Sequence, residues 1–361
     1  MQLMIPGPTP CPDEVLKAIG RQMINHRGKE FAEMQGRIIP RLKQCFQTDN
    51  DVLVLTTSGT GGMESAIVNT LSPGDKVLGV SIGIFGDRFL EIARVYGADV
   101  IQLKYDWGQV ASPDDVKKAL NDNPGIRAVL VTHNETSTGT TNPLKDIAKV
   151  VKDAGKLILV DAVSSLSCID VQTDAWKLDV VVTASQKGWM VPPGLAFVSV
   201  SGEAWKAHAQ AKMPRYYFDY TRAKKFIPDG QTPWTPAVSV YFGMDVALDM
   251  MLKEGLPNIF ARHARVAEKA RKWVKSRGLQ LLVADEKYAS STVTAVKAPE
   301  DIEVSKLNAT LRDEYKVVIA GGQGGMKGKV FRIGHLGMVT DKDMDEVTAA
   351  MDKALPKAKK A

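Results

Sequence analysis

Cysteine is scarce: the chain has three, Cys11, Cys45 and Cys168, and no two of them form a Cys-x-x-Cys pair. That number and spacing exclude a disulfide framework, an iron–sulfur cluster and a cysteine-based zinc site, and no metal centre is expected. A reducing compartment, the cytoplasm, is the expected location. Long apolar runs are also missing, and no uninterrupted stretch reaches the roughly 20 residues that a membrane-spanning helix needs. The opening Met-Gln-Leu-Met-Ile-Pro-Gly-Pro lacks a basic region and is broken at Pro6, so it does not read as a signal peptide. Charge of one sign is weak. The net charge is +6, yet residues 352–361 hold four lysines and one aspartate, and without them it is +3. The basic tail reads as a solvated end, and no nucleic-acid-binding signature occurs elsewhere.

What remains is ordinary globular composition, 44% apolar and 24% charged over 361 residues. That length suggests about two domains. Short apolar runs at 52–56, 76–81, 100–103, 128–132, 157–160, 180–183 and 195–200 read as strands. Helical patterns at 63–71, 88–96, from Ser112 and at 143–154 lie between several of them. Near-continuous apolar strands separated by helices imply a mostly parallel sheet covered on both faces. A long helix is expected over 236–254, capped by Thr235 with Pro236 at its first position and stopped at Gly255. A helix over 257–277 follows. Strands at 280–283, 292–296, 317–320 and 330–333 and helices at 304–315 and from Asp341 then suggest a smaller α+β domain beginning near residue 256.

Four short stretches could carry chemistry. Ser58-Gly-Thr-Gly-Gly62 joins a strand to a helix, where backbone N–H groups and the helix dipole suit an anion. It lacks the lysine of a P-loop and the third glycine of a dinucleotide fingerprint, so a phosphate cup and a plain tight turn both fit. Asp161 follows four apolar residues, at the carboxyl end of a strand where open sheets bind ligands. A buried aspartate there needs a partner: a cationic heterocycle, a helix terminus or a lysine. Lys187 in Ser-Gln-Lys-Gly stands just beyond another strand, either as a surface residue or as an amine made nucleophilic by desolvation. Arg332 lies inside Val-Phe-Arg-Ile, facing either a substrate carboxylate or an ion-pair partner.

A phosphate cup, an aspartate for a ring nitrogen, a lysine for an imine and an arginine for a carboxylate form the set that pyridoxal phosphate chemistry on amino acids needs. The chain resembles the class V, fold-type I aminotransferases, near the alanine–glyoxylate and serine–glyoxylate (serine–pyruvate) enzymes. The resemblance runs through Ile5-Pro-Gly-Pro-Thr-Pro10, Ser58-Gly-Thr-Gly61, Thr132-His-Asn-Glu-Thr-Ser-Thr-Gly139, Val160-Asp-Ala-Val163, Ser185-Gln-Lys-Gly188, Thr232-Pro-Trp-Thr-Pro236 and Phe331-Arg-Ile-Gly334. It covers essentially the whole length. It implies an α/β fold: a large domain (21–255) built on a mostly parallel sheet sandwiched by helices, a small C-terminal α+β domain (256–361), and an N-terminal segment (1–20) that contributes to the active site.

The same resemblance implies a transaminase using pyridoxal 5′-phosphate. Lys187 would bond the cofactor and shuttle a proton, and Asp161 would hold the ring nitrogen protonated. Val163 and Phe85 would cover the two ring faces, Phe85 having core packing as its alternative. Thr60, Gly61, Gly62 and Gln186 would contact the phosphate, and Thr136 the phenolic oxygen. Arg332, with Pro6 and Gly7, would bind substrate. Thr232 and Thr235 belong to the cofactor set, Thr235 reaching across a homodimer interface to the other subunit's phosphate. Some relatives carry Ser and His at Thr60 and Gly62, Tyr at Thr232 or Trp at Phe85, so substrate preference does not transfer with the cofactor. The expected reaction moves an amino group from alanine or serine to glyoxylate or pyruvate. Alternatives are another class V activity, such as aspartate transamination or a lyase, or a non-enzymatic role as a redox-complex subunit.

Overall fold

The computed structural model describes residues 1–360. A short strand, β1 (Gln2–Met4), opens the chain, followed by helices α1 (Asp13–Ile19) and α2 (Lys29–Phe46). Strand and helix then alternate: β2 (Asp51–Leu55), α3 (Gly59–Thr70), β3 (Lys76–Ser81), α4 (Ile84–Val95), β4 (Asp99–Lys104), α5 (Pro113–Asp122) and β5 (Ala128–Thr132). A small hairpin, β6 (Asn134–Glu135) and β7 (Thr140–Thr141), precedes α6 (Leu144–Asp153) and strands β8 (Leu157–Asp161), β9 (Val180–Ala184) and β10 (Ala196–Val200). Helices α7 (Gly202–Gln210), α8 (Tyr220–Phe226), α9 (Val238–Glu254) and α10 (Leu256–Ser276) come next. The chain closes with β11 (Gln280–Leu281), β12 (Val293–Lys297), α11 (Val304–Tyr315), β13 (Val317–Gly321), β14 (Val330–Gly334) and α12 (Asp341–Ala354).

The large sheet has the order β2-β10-β9-β8-β5-β3-β4. The pairs β3–β4, β3–β5, β5–β8 and β8–β9 are parallel, and β10 runs antiparallel to both β9 and β2. Every residue of β5, β9 and β10 is buried, which is why these strands read as unbroken apolar runs. Separate apolar clusters fill the two faces, one under α2, α6 and α9 and the other under α3, α4 and α7. The carboxyl ends of β2, β3, β5, β8 and β9 therefore share one edge, the place for a ligand in such sheets.

The second sheet, β1-β13-β14-β12-β11, joins the first residues of the chain to the last third, with β1 parallel to β13. The segment after β1 leaves this sheet directly toward the ligand edge of the large one. No helix among the described residues is long and apolar enough to cross a membrane.

Several expectations shift. The helix expected from Met63 starts at Gly59, so the glycines form its first turn, and the one expected from Arg88 starts at Ile84. Thr235 and Pro236 lie outside α9, which begins at Val238 and ends at Gly255 (φ 83°). The Ser112 cap on α5 is present, its Oγ accepting from the Asp114 N–H at 3.2 Å. The basic tail is docked rather than solvated: Ala358 is fully buried in the apolar cluster around α11 and α12. Its carbonyl accepts from the Glu303 N–H at 2.8 Å, and Lys359 pairs with Asp301 at 3.3 Å. Burial of Ala358 outweighs the solvation of the neighbouring lysines, whose charged ends stay outside.

Candidate active site

The wholly buried β9 delivers Ser185-Gln-Lys-Gly188 to the ligand edge. The Lys187 Nζ donates to the Pro6 carbonyl. The Thr9 N–H donates to the Gln186 carbonyl at 3.0 Å and the Thr9 Oγ1 to the Lys187 carbonyl at 2.9 Å, so the N-terminal segment clamps the lysine loop. Gly7 (φ +121°) is required there, since a Cβ on it would lie 2.6 Å from Nζ. Lys187 as a whole is half-buried, with its amine end turned to the Pro6 carbonyl. Burial lowers the amine's pKa to about 8, opposed by Asp161 and reinforced by Arg332 and Arg88.

Asp161 ends β8 and is 4% exposed. It accepts from the Val163 N–H at 2.9 Å and the Thr132 hydroxyl at 3.2 Å. Burial is the larger influence and raises its pKa to about 6, against the pull of those bonds and of Lys187. A carboxylate this deep with two donors has room for a further cationic one, and a protonated pyridine nitrogen fits.

At the start of α3 the Ser58 side chain makes no cap, and the N–H groups of Gly59, Thr60 and Gly61 meet no protein acceptor among the described residues. These open donors at a helix N-terminus fit a phosphate. Arg88 of α4 reaches the same place, its Nη1 3.4 Å from the Thr60 Oγ1 and its guanidinium 4.8 Å above the Phe85 ring. The Gln186 Oε1 is buried without a partner, as expected where a ligand completes the site. The glycines serve packing as well. A Cβ at Gly59 would lie 2.8 Å from the Val163 Cγ2 and one at Gly62 2.6 Å from the Val182 Cγ1, so with these two valines in place α3 starts on the sheet without side chains at either position.

Phe85 is half-buried on the first turn of α4. Thr136 is buried, and its carbonyl accepts from the Arg332 Nη1 at 2.9 Å. The Arg332 Nε donates to the Gly321 carbonyl, also at 2.9 Å. Arg332 is 5% exposed. It faces carbonyls, and no carboxylate pairs with it among the described residues, so the ion-pair alternative for this arginine is not what the structure holds. Burial lowers its pKa and the field of Glu135 opposes.

The structure thus gathers Pro6, Gly7, Thr60, Gly61, Gly62, Phe85, Thr136, Asp161, Val163, Gln186, Lys187 and Arg332 around the ligand edge. Thr232 and Thr235 are not brought to Lys187 within one chain. The Thr232 Oγ1 donates to the Trp234 carbonyl at 2.7 Å, its own carbonyl accepts from Arg27, and Thr235 is exposed. Three participants escaped the sequence reading: Arg88, Thr9 and Glu135. Arg88 lies three residues after Phe85, a helical spacing that places both on one face.

The family model for aminotransferase class V matches residues 3–341. A soluble hydrogenase 42 kDa subunit of Anabaena cylindrica is 44% identical over 98% of this chain and 93% of its own length. An L-aspartate–glyoxylate aminotransferase of Paracoccus denitrificans is 38% identical over 94% of this chain and 87% of its own. Among solved structures, an alanine–glyoxylate aminotransferase of Nostoc sp. superposes with a TM-score of 0.94 at 30% identity, covering 98% of this chain and 94% of its own. The chain's three cysteines are free, and among the described residues no group of three His, Cys, Asp or Glu could hold a metal. With this coverage, and with a lysine, an aspartate and an open helix terminus meeting at one sheet edge, the chain belongs to the class V aminotransferases, pyridoxal-phosphate-dependent enzymes of fold type I.

Proposed function

We propose that this aminotransferase moves an amino group from a small amino acid, alanine or serine, to glyoxylate or pyruvate. The observation that carries this reading is Arg332, held by two backbone carbonyls beside Lys187 with no carboxylate of the protein on it. Donor and acceptor share a carboxylate next to the reacting carbon, and a guanidinium fork suits both. An aspartate donor would bring a second carboxylate. Arg88, the other guanidinium acting on Lys187, is turned to Thr60 and Phe85 instead, which favours a small uncharged side chain.

Bound pyridoxal phosphate supplies an aldehyde that bonds amines and a ring that accepts electron density from the attached carbon. Thr60 and Gly61, with Gln186 and Arg88, would hold the phosphate at the start of α3, whereas the expected Gly62 N–H is already given to the Ser58 carbonyl at 3.1 Å. Phe85 and Val163 cover the ring faces and keep water from them, and Thr136 contacts the phenolic oxygen. Asp161 holds a proton at the ring nitrogen. Lys187 anchors the cofactor. Its Nζ, held at the ligand edge, would be the group that moves a proton at the substrate α-carbon. Pro6 and Gly7 wall the substrate side. The enzyme works in the cytoplasm as a homodimer in which each exposed Thr235, on the loop that Arg27 braces, completes the other subunit's phosphate site. The large domain (21–255) carries the cofactor, and the small domain (256–361) carries Arg332, with residues 1–20 bridging them.

The test is single-turnover amine transfer from a panel of amino acids, followed by absorbance. Alanine and serine are expected to react fastest, with glyoxylate or pyruvate reversing the change. Fastest reaction with aspartate would refute the small-donor reading.

A further inference from the structure

We propose that Glu135 is a positioning residue that fixes the Phe85 ring and the Arg332 arm together. The proposal rests on the reading above, in which Phe85 covers the cofactor ring and Arg332 takes the substrate carboxylate. Glu135 is fully buried. Its Oε2 accepts from the N–H groups of Phe85 at 3.0 Å and Gly86 at 3.1 Å. Its Oε1 accepts from the Ser137 N–H at 3.0 Å and hydroxyl oxygen at 2.6 Å. The Ser137 Oγ in turn accepts from the Ile84 N–H at 3.1 Å. The first three N–H groups of α4, which a helix leaves without internal partners, are thus all satisfied from a turn about 50 residues away.

An ordinary cap is local and uses a short polar side chain. Here the residue before the helix is Gly83, and no side chain fits there. A Cβ would lie 2.5 Å from the Ser137 Oγ and 2.6 Å from the Glu135 Cγ. The fold therefore gives up a local cap and buries a carboxylate instead. Four donors and the positive end of a helix oppose the desolvation, although burial still raises the carboxyl's pKa. The result is directional: Phe85 is gripped by its own backbone N–H. The residue between Glu135 and Ser137 is Thr136, whose carbonyl receives Arg332. One three-residue turn thus holds a ring-covering side chain from the large sheet's side and the carboxylate-binding arginine from β14.

Glu135→Gln tests this, because it keeps the shape but turns an NH2 group toward N–H donors. The readouts are cofactor release from the holoenzyme on dilution, by loss of visible absorbance, and the visible circular dichroism of bound cofactor. Release about tenfold faster is expected, the worth of roughly one charge-assisted hydrogen bond. The dichroism should weaken, and amino-acid affinity should fall in parallel. In combination with Phe85→Ala, release should be no faster than with Phe85→Ala alone, since Glu135 acts through that ring. Wild-type release, or an effect that adds in full to Phe85→Ala, would overturn the proposal. If Glu135→Gln does not fold, Ser137→Ala, which removes the acceptor for the Ile84 N–H and one donor to Glu135, carries the same cycle. A Phe85→Ala protein with unchanged release would overturn the reading of Phe85 itself, and this proposal with it. A silent Glu135→Gln beside an affected Phe85→Ala overturns this proposal alone.

Discussion

The Pro6 carbonyl accepts a hydrogen bond from the Lys187 Nζ, across 181 positions of sequence. The N-terminal segment, anchored in the small sheet by β1, therefore sets the position of the amine at the edge of the large sheet. Gly7 makes this approach geometrically open. Gly7→Ala should place a methyl group against Nζ and strain a backbone at φ +121°, costing roughly 1–3 kcal/mol. The expected result is slower cofactor attachment to the apoenzyme, measured by stopped-flow absorbance, with a lowered melting temperature. Attachment at the wild-type rate would show that Gly7 does not govern the lysine.

The buried amine of Lys187 titrates near 8 rather than at its ordinary 10.5. Only the neutral amine attacks an aldehyde, so reconstitution of the apoenzyme should accelerate as pH rises from 6 and level off above about 8. Lys187→Ala should abolish the borohydride-trapped pyridoxyl group, mapped by peptide analysis. Levelling only near 10 would mean that the amine is not desolvated.

Asp161 is the converse case. Its folded-state pKa, about 6, lies above its ordinary 3.8, so the folded apoprotein holds the proton more tightly than the unfolded chain does. Its ionisation therefore lowers apoprotein stability as pH rises through that window, by up to ~3 kcal/mol at neutral pH. Asp161→Asn should remove this decline and make the apoprotein more heat-stable at pH 7 but not at pH 4. The loaded variant should lose about a hundredfold to a thousandfold in rate, since an amide cannot hold the ring proton. Scanning calorimetry at both pH values, beside single-turnover kinetics, checks both halves.

A change at Arg88 would distinguish phosphate binding from ring binding. Its Nη1 lies at Thr60, beside the open N–H groups of α3. Arg88→Gln should weaken binding of pyridoxal phosphate about tenfold or more, the worth of one charge-assisted contact, and leave binding of pyridoxal nearly unchanged. Equal losses for both ligands, by titration of the apoprotein, would place Arg88 on the ring through Phe85 rather than on the phosphate.

The parts legible in the sequence were those whose chemistry follows directly from a local pattern. Asp161 stands out because it closes the apolar strand β8, and Lys187 because it follows the apolar strand β9. Arg332 stands out as a charge inside buried β14. Glu135 was hidden because two of the N–H groups it accepts from lie on α4, and Arg88 because Thr60 lies on α3: a buried carboxylate capping a remote helix leaves no local periodicity. β1, with 3 residues, is too short to show an alternation, and α2 contains Pro40, a residue that interrupts a helical pattern. The docked tail illustrates the same limit, because the contact that holds it is with Glu303 and Asp301.

Arg332 offers the sharpest division between structure and substrate binding. Its Nε and Nη1 are already engaged by the carbonyls of Gly321 and Thr136. Those two bonds fix the plane of the guanidinium and leave the remaining edge for a carboxylate. Arg332→Lys keeps a positive charge but loses the planar fork and at least one of the two carbonyl bonds. Cofactor loading and its absorbance should stay near wild type, because Arg332 bonds only the carbonyls of Gly321 and Thr136 and none of the groups assigned to the phosphate or the ring nitrogen. Affinity should fall for amino donors and oxo-acid acceptors alike, by about ten- to a hundredfold, the range for a charge-assisted bidentate contact reduced to a single one. A stability loss of about 1 kcal/mol is expected from the lost carbonyl bond. The measurement is titration of the cofactor absorbance with alanine and with glyoxylate, alongside thermal unfolding. Unchanged affinities with a lower melting temperature would make Arg332 a structural brace between the sheets and move the carboxylate site elsewhere.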